Sequence, residues 1–378
     1  MDHPSPHLYR AQGVRLGIPE DVLERAISQT ARNEEQRAGA ILSLRHLAQL
    51  SGAPYLYLRK IVQRTIDPYA AIAIKKRGGG TRMLSAPEPI LMDVQRLILR
   101  RALRSIESHP RSFAYQNNRS IVDCARLHVG AHWLIKLDLH DFFGSISEKR
   151  AYEVFNRQGY SNLVSFELAR LCTRAGLRWA PPPPSADKYR AIPSYSTGNI
   201  GSLPQGGPTS GAIANAVATP LDHGLHTLAD SAGLTYTRYS DDLTFSGASR
   251  FKRSDAAAFI RRVGPIVSSN GLLLHHRKTR VVPPGARHVV LGLLVDEHGV
   301  RLLPEFRRRV EVHVRGVRKF GLTAHVASRG FKSIFSFVNH VDGCLAFGAS
   351  VDPDWADRTR AEWLDALIDN SFPIDRHF

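Results

Sequence analysis

Apolar positions change their spacing along this chain. Over the first hundred residues they recur at intervals of three and four, the period of one helix face. This predicts helices over about 20–30, over 34–50 closing at Gly52, and over 88–105, where Leu91, Val94, Gln95, Ile98, Leu99 and Ala102 form a stripe. Between the last two, Tyr69–Lys75 and Arg82–Ser85 flank Lys76-Arg77-Gly78-Gly79-Gly80-Thr81, a hairpin with a glycine-rich basic tip. From 130 to 300 strands and helices alternate. Ser120 caps a helix running to about 128, and Trp133-Leu134-Ile135-Lys136-Leu137 then reads as a buried strand ending on Asp138. Thr235–Tyr239 and Leu243–Ser246 enclose Ser240-Asp241-Asp242 as a tight turn. The Ala-rich stretch from Ser210 to Ala232, preceded by Pro208, reads as a helix, and Pro181 to Pro184 as a surface loop. Past Pro304 helical spacing returns. The pattern is that of an α+β fold with helical ends and no internal repeat.

Charge adds a partner class. The 378 residues carry 51 Lys+Arg against 34 Asp+Glu, a net +17, and such an excess points to nucleic acid. At 43% hydrophobic the chain can bury a core, which excludes disorder as its main state. Its length predicts about two or three subdomains. The three cysteines, Cys124, Cys172 and Cys344, are too dispersed for a zinc module and too few for a disulfide framework. No run approaches the roughly 18 apolar residues of a membrane span, and no signal peptide is visible, so a cytoplasmic, membrane-free protein is expected.

Asp241-Asp242 is an expensive pair, because adjacent carboxylates repel; a divalent metal or another cation relieves the repulsion. A solvated Asp-Asp turn is the plainer reading. If the strand ending on Asp138 neighbours the strands around this turn, Asp138 and Asp241 converge at one sheet edge. Two or three carboxylates there can hold two Mg²⁺ ions for in-line phosphoryl displacement.

With these residues in view, the sequence resembles the bacterial reverse transcriptases, most closely the retron type, from about residue 55 to 345. Tyr239-Ser240-Asp241-Asp242 is similar to the family's Tyr-x-Asp-Asp box, Leu137 to Ile146 to its first carboxylate block, and Leu203-Pro204-Gln205-Gly206-Gly207-Pro208-Thr209-Ser210 to its Gln-Gly block. Ile74 to Arg82 followed by Ala86-Pro87 resembles the fingers block, Gly271-Leu272 with His276-Arg277-Lys278-Thr279 the Lys-Thr block, and Leu291-Gly292-Leu293 the primer-grip region. One Asp-Asp turn is weak evidence; ordered blocks are strong.

The resemblance implies a right-hand polymerase fold: an N-terminal helical extension (1–54), fingers (55–130), a palm of antiparallel sheet packed on helices (131–285, with a fingers-side insertion about 160–200), a primer-grip hairpin (286–303) and a helical thumb (304–378). It implies an RNA-directed DNA polymerase in which Asp138, Asp241 and Asp242 bind two Mg²⁺. Lys75 or Lys76 with Arg82 would clamp the nucleoside triphosphate; a solvated basic hairpin is the alternative. Gln205 would contact the incoming nucleotide, with Gly206 and Gly207 allowing close backbone approach. Phe143 falls where the family excludes a ribose 2′-OH, while Phe142 is the core residue of the pair. Lys278 lies near the leaving pyrophosphate or is a surface lysine in a basic run. Arg96, Arg100, Arg101 and Arg104 on one helix, and Arg307, Arg308, Arg315 and Lys319 on another, would bind phosphates without sequence preference. The seventeen histidines are scattered and read as structural or surface residues.

Some positions depart from the retron pattern. The Asn of the family's Asn-Ala-x-x-His element is Cys124 here, ahead of Ala125 and His128; Val-Thr-Gly is replaced by Val290-Leu291-Gly292; and Gly211 stands where a Pro follows the Gln-Gly block. With about 30 residues beyond the resemblance, which ends near 345, no appended nuclease domain is expected. The retron resemblance further implies a dedicated non-coding RNA as template and primer, 2′-OH priming that yields branched cDNA, and a separately encoded effector in anti-phage defence. The alternatives are another defence reverse transcriptase with protein-primed or untemplated synthesis, and a catalytically silent RNA-binding scaffold.

Overall fold

The computed structural model describes residues 5–75, 81–175, 200–247 and 252–373. The chain opens with α1 (Pro6–Arg15), α2 (Glu20–Glu35), α3 (Leu44–Ser51) and α4 (Tyr55–Val62). The single helix expected over 34–50 does not form. Arg37 turns left-handed at φ 54, and the strap after it spends its backbone on other elements. Gly39 N donates to Arg101 O at 2.7 Å, and Ile41 O accepts from Gln29 Nε2 at 2.7 Å. Groups with tertiary partners no longer need a helix to satisfy them. The helix then restarts at Ser43, whose hydroxyl accepts from His46 N, and closes at Gly52 as expected.

β1 (Tyr69–Lys75) and β2 (Thr81–Pro87) form the expected antiparallel hairpin, with Lys75 opposite Thr81. Its tip, Lys76 included, lies outside the described residues, as does the side chain of Arg82. α5 (Pro89–Ile98) runs on as a π-helical turn over Leu99–Leu103, and Leu91, Val94, Ile98 and Ala102 are buried as the stripe predicts.

α6 (Ile121–Arg126) starts on a capping box in which Ser120 and Asp123 exchange backbone and side-chain bonds. There follow β3 (Trp133–Asp138), α7 (Glu148–Arg157), α8 (Asn162–Cys172), and the short pair β4 (Arg174–Ala175) and β5 (Gly201–Ser202). The loop expected at Pro181 to Pro184 lies outside the described residues. α9 (Ser210–Ser231), β6 (Leu234–Tyr239), β7 (Asp242–Gly247), α10 (Arg253–Ser269) and β8 (Arg280–Val282) complete this part. The central sheet has the order β6-β7-β3-β8 with every neighbour antiparallel.

Adjacent residues of β3 enter different cores. Ile135 and Leu137 pack with the helices on one face, Phe155, Ile213 and Leu221 among them. Leu134 packs with Val290, Val314 and Phe337 of the C-terminal part. A strand covered on both faces needs apolar residues at consecutive positions, which is why it reads as a run and not as an alternation.

The expected hairpin at 286–303 is a three-stranded sheet, β9 (Val289–Val290), β10 (Leu293–Asp296) and β11 (Gly299–Leu302). Leu291 and Gly292, at φ 49 and 82, make the two-residue turn that joins β9 to β10. The helices α11 (Pro304–Phe320), α12 (Leu322–Ser328), α13 (Ile334–Ala349) and α14 (Pro353–Asp369) close around Phe337 and Trp363, both fully buried. Among the described residues no helix is long and apolar enough to cross a membrane.

Candidate active site

The register of the central sheet assembles the acidic residues. Asp138, the last residue of β3, stands directly across from Asp242, the first of β7, and Tyr239 pairs with Asp242 from the other side. Ser240 and Asp241 are left as a two-residue turn, with Leu139 N donating to Asp241 O at 2.9 Å. Ser240 takes the left-handed conformation at φ 60, which costs a non-glycine residue about 1 kcal/mol. Two bonds hold it there: Arg238 Nη1 donates to Ser240 O at 3.1 Å, and the hydroxyls of Ser240 and Tyr115 lie 3.1 Å apart.

Like charges crowd together at this edge of the sheet. Burial pushes the Asp242 carboxyl up, as do the Asp241 and Asp138 charges, while Lys136 and Lys278 pull it back. Lys278 Nζ donates to both oxygens of Asp138 at 2.9 Å. Asp138 is largely buried in that pair, whereas Lys278 is more than half exposed. Among the described residues, no group of three His, Cys, Asp or Glu side chains stands ready-closed around a metal. The chemistry of the donors still fits Mg²⁺: hard carboxylate oxygens, one of them disfavoured as an anion by its acidic neighbours, at the mouth of an open cleft.

That cleft has a volume of about 810 Å³. Asp138 and Asp241 lie on its wall with Lys278, Phe143 and Gln205, so these sequence-predicted residues meet in one place. Phe142 is buried and Phe143 half-buried, as expected, although both lie in the turn after β3 and not on a strand whose residues alternate. Gln205 O accepts from Ser85 N at 2.8 Å, which ties the Gln-Gly loop to β2. Gly206, at φ 128, has no room for a side chain, since a Cβ would stand 3.0 Å from Ser85 O. Its freedom thus serves contact between loop and hairpin.

Other predicted residues stand elsewhere. Lys75 is exposed at the end of β1. Arg96, Arg100 and Arg104 are exposed on α5 and its extension, while Arg101 turns inward against the strap at Gly39 and Ala40. Arg308, Arg315 and Lys319 are exposed on α11, whereas Arg307 is drawn into an ion pair with Asp352 against the Trp355 ring.

Several supporting residues, His128 apart, escaped the sequence reading. Arg238 is fully buried and donates through Nε and Nη2 to the two oxygens of Asp222 on α9, each at 2.7 Å. Asn215 and Ser112 also bond its guanidinium. A visible sign existed, since an Asp in an Ala-rich helix and an Arg in a strand are each costly unless paired. Glu148 accepts from Arg64 at 2.7 Å, from Arg170 at 2.5 Å and from Gly201 N at 3.1 Å, which fixes β5 ahead of Gln205. Arg174, on the cleft wall, donates to Asp67 and to Ser85 Oγ. His128 is buried between the hydroxyls of Ser246 and Thr237, both at 2.7 Å, and burial pushes its imidazole down to about 4.

The chain is similar to Retron Mx162 reverse transcriptase of Myxococcus xanthus, 33% identical over 76% of this chain and 61% of that one. It is similar also to Retron Ec86 reverse transcriptase of Escherichia coli, 29% identical over 78% of this chain and 80% of that one. It therefore spans somewhat under two thirds of the first relative's length and four fifths of the second's. A telomerase structure from Candida albicans aligns over 95% of this chain and 69% of its own with a TM-score of 0.41 and 9% identity, a likeness too loose to add weight. The family model described as reverse transcriptase (RNA-dependent DNA polymerase) matches residues 74–304, over half the chain, a span that includes Asp138, Asp241 and Asp242. The chain belongs to the reverse transcriptase family of RNA-dependent DNA polymerases.

Proposed function

We propose that this protein is a retron-type reverse transcriptase that copies a dedicated non-coding RNA into single-stranded cDNA. The observation that carries the reading is the pairing of Asp138 with Asp242 across β3 and β7, with Asp241 in the adjoining turn, at the wall of an open cleft. The β1–β2 hairpin and its flanking helices serve as fingers, the central sheet as palm, β9–β11 as primer grip and α11–α14 as thumb. Asp138, Asp241 and Asp242 would hold two Mg²⁺ ions, which when bound activate the primer hydroxyl and neutralise the leaving pyrophosphate.

The chain's own side chains do the rest. Gln205 and Phe143 border the incoming nucleotide, Phe143 against the position of a ribose 2′-OH. Lys278 stays beside the phosphates. Lys75 or Lys76 with Arg82 would clamp the triphosphate, and the exposed arginines of α5 and α11 track the backbone of an A-form heteroduplex by shape and charge. The similarity to named retron enzymes supports 2′-OH priming, a branched RNA–DNA product, and work in the cytoplasm with a separately encoded effector against phage.

Asp241→Asn with Asp242→Asn is expected to abolish divalent-ion-dependent DNA synthesis while RNA stays bound; retained synthesis overturns the metal assignment. Sequencing the copurifying nucleic acid should show a 2′–5′ branch. An unbranched product, or DNA joined to protein, would move the protein to another class of defence polymerase.

A further inference from the structure

Tyr115 has a conformation that its loop does not explain. It is left-handed at φ 60 and 55% exposed, so it bears backbone strain of about 1 kcal/mol without the burial that usually offsets it. Yet its ring is held from three directions. The hydroxyl bonds Ser240 Oγ at 3.1 Å. One edge meets Phe143, with ring centroids 6.0 Å apart and planes at 67°. Underneath is Gly211 in the first turn of α9, where a Cβ would come within 2.4 Å of the ring carbon Cγ.

Two of these partners lead to the cleft: Phe143 lines it, and Ser240 directly precedes Asp241, which lines it as well. The third accounts for a departure noted in the sequence. Gly211 stands where the family pattern has Pro, and any side chain there would displace the Tyr115 ring.

We propose that Tyr115 is a nucleotide-contacting residue, its ring joining Phe143 as the floor on which the sugar and base of the incoming nucleotide rest. A strained, exposed aromatic beside a polymerase cleft suits stacking, which tolerates every base because each presents a π-face. The hydroxyl is spent on Ser240, so the contact carries no base preference. By bracing the edge of Phe143, the same ring sets the angle at which Phe143 meets the sugar. The inference rests on the reading of this cleft as the nucleotide site.

Single-nucleotide extension of an oligo(dT) primer on poly(rA), with dTTP or UTP, tests it. Y115A is expected to raise KM for dTTP about tenfold, the loss of one aromatic contact, and to narrow the dTTP-over-UTP preference. Its melting temperature should fall only slightly, because the residue is more than half exposed and the Ser240 turn keeps its bond from Arg238. Y115F keeps the ring and stays nearer to wild type. G211A shifts both quantities in the same direction as Y115A, and Y115A/G211A is no worse than Y115A alone, since the clash at 211 needs the ring. Wild-type KM and selectivity in Y115A overturn the proposal. Altered selectivity in F143A alongside that result would leave the reading of the cleft intact, whereas an unaltered F143A would sink both.

Discussion

Replacing Arg238 by Met isolates a fully buried ion pair behind the turn that carries Asp241. The side chain is fully buried, and its guanidinium serves Asp222 twice at 2.7 Å, Asn215 and Ser240 O at 3.1 Å, and Ser112 at 3.0 Å. R238M leaves Asp222 buried with Tyr236 as its one remaining hydrogen-bond donor among the described residues, at 2.8 Å. Removing one partner of such a pair costs about 3–5 kcal/mol, against a total stability of about 5–15 kcal/mol. Replacing both partners by apolar residues costs far less, because no charge is stranded. Urea unfolding should therefore place R238M about 3–5 kcal/mol below wild type, with R238M/D222L recovering most of that loss. Activity should separate from stability. In the double variant the Ser240 carbonyl still lacks its donor, the turn that carries Asp241 is loosened, and DNA synthesis stays depressed in a protein that is fully folded. A loss under about 1 kcal/mol in R238M, or a double variant as unstable as the single one, would refute the electrostatic argument. Normal turnover in the double variant would refute the positioning argument.

Other outcomes follow from the same geometry. Lys278→Met frees both oxygens of Asp138, so Mn²⁺ binding followed by electron paramagnetic resonance should tighten while turnover falls; weaker binding would show that Lys278 does not compete for that carboxylate. His128 sits at about 4 in the fold against about 6.5 unfolded, so it contributes up to about 3 kcal/mol above pH 6.5, lost as the pH falls from there through 4. H128Q should flatten that part of the acid-unfolding profile, and an unchanged slope would assign it to other histidines. Glu148→Gln removes the carboxylate charge that Arg64 and Arg170 share and loosens β5, so it should lower stability by about 3 kcal/mol and raise KM for dNTPs. A stability loss with KM unchanged would confine Glu148 to a structural role.

Much was legible in the chain itself. Local rules carried the β1–β2 hairpin, the capped helix after Ser120, the strand ending on Asp138 and the turn at Asp241, because periods and turn residues are read from neighbours in sequence. The acidic pair was visible for the same reason. Where local rules failed, backbone groups had found distant partners: the strap after Arg37 gave its hydrogen bonds to Arg101 and Gln29, and no periodicity records that. Charge, too, could be counted but not placed. The sequence supplied +17, yet only the fold turned Arg101 and Arg307 inward and left Arg100, Arg104 and Arg315 facing solvent.

The sequence by itself determined which residues could perform the chemistry, since that depends on side-chain type and short spacing. Tertiary structure alone decided which of them meet. The antiparallel register sets Asp138 against Asp242 across more than a hundred residues of chain, the fold carries Lys278 to Asp138, and Tyr115 is seated on Gly211 with an edge against Phe143. Those contacts arise from the packing of a sheet between two cores, a long-range free-energy balance that no local stretch of residues encodes.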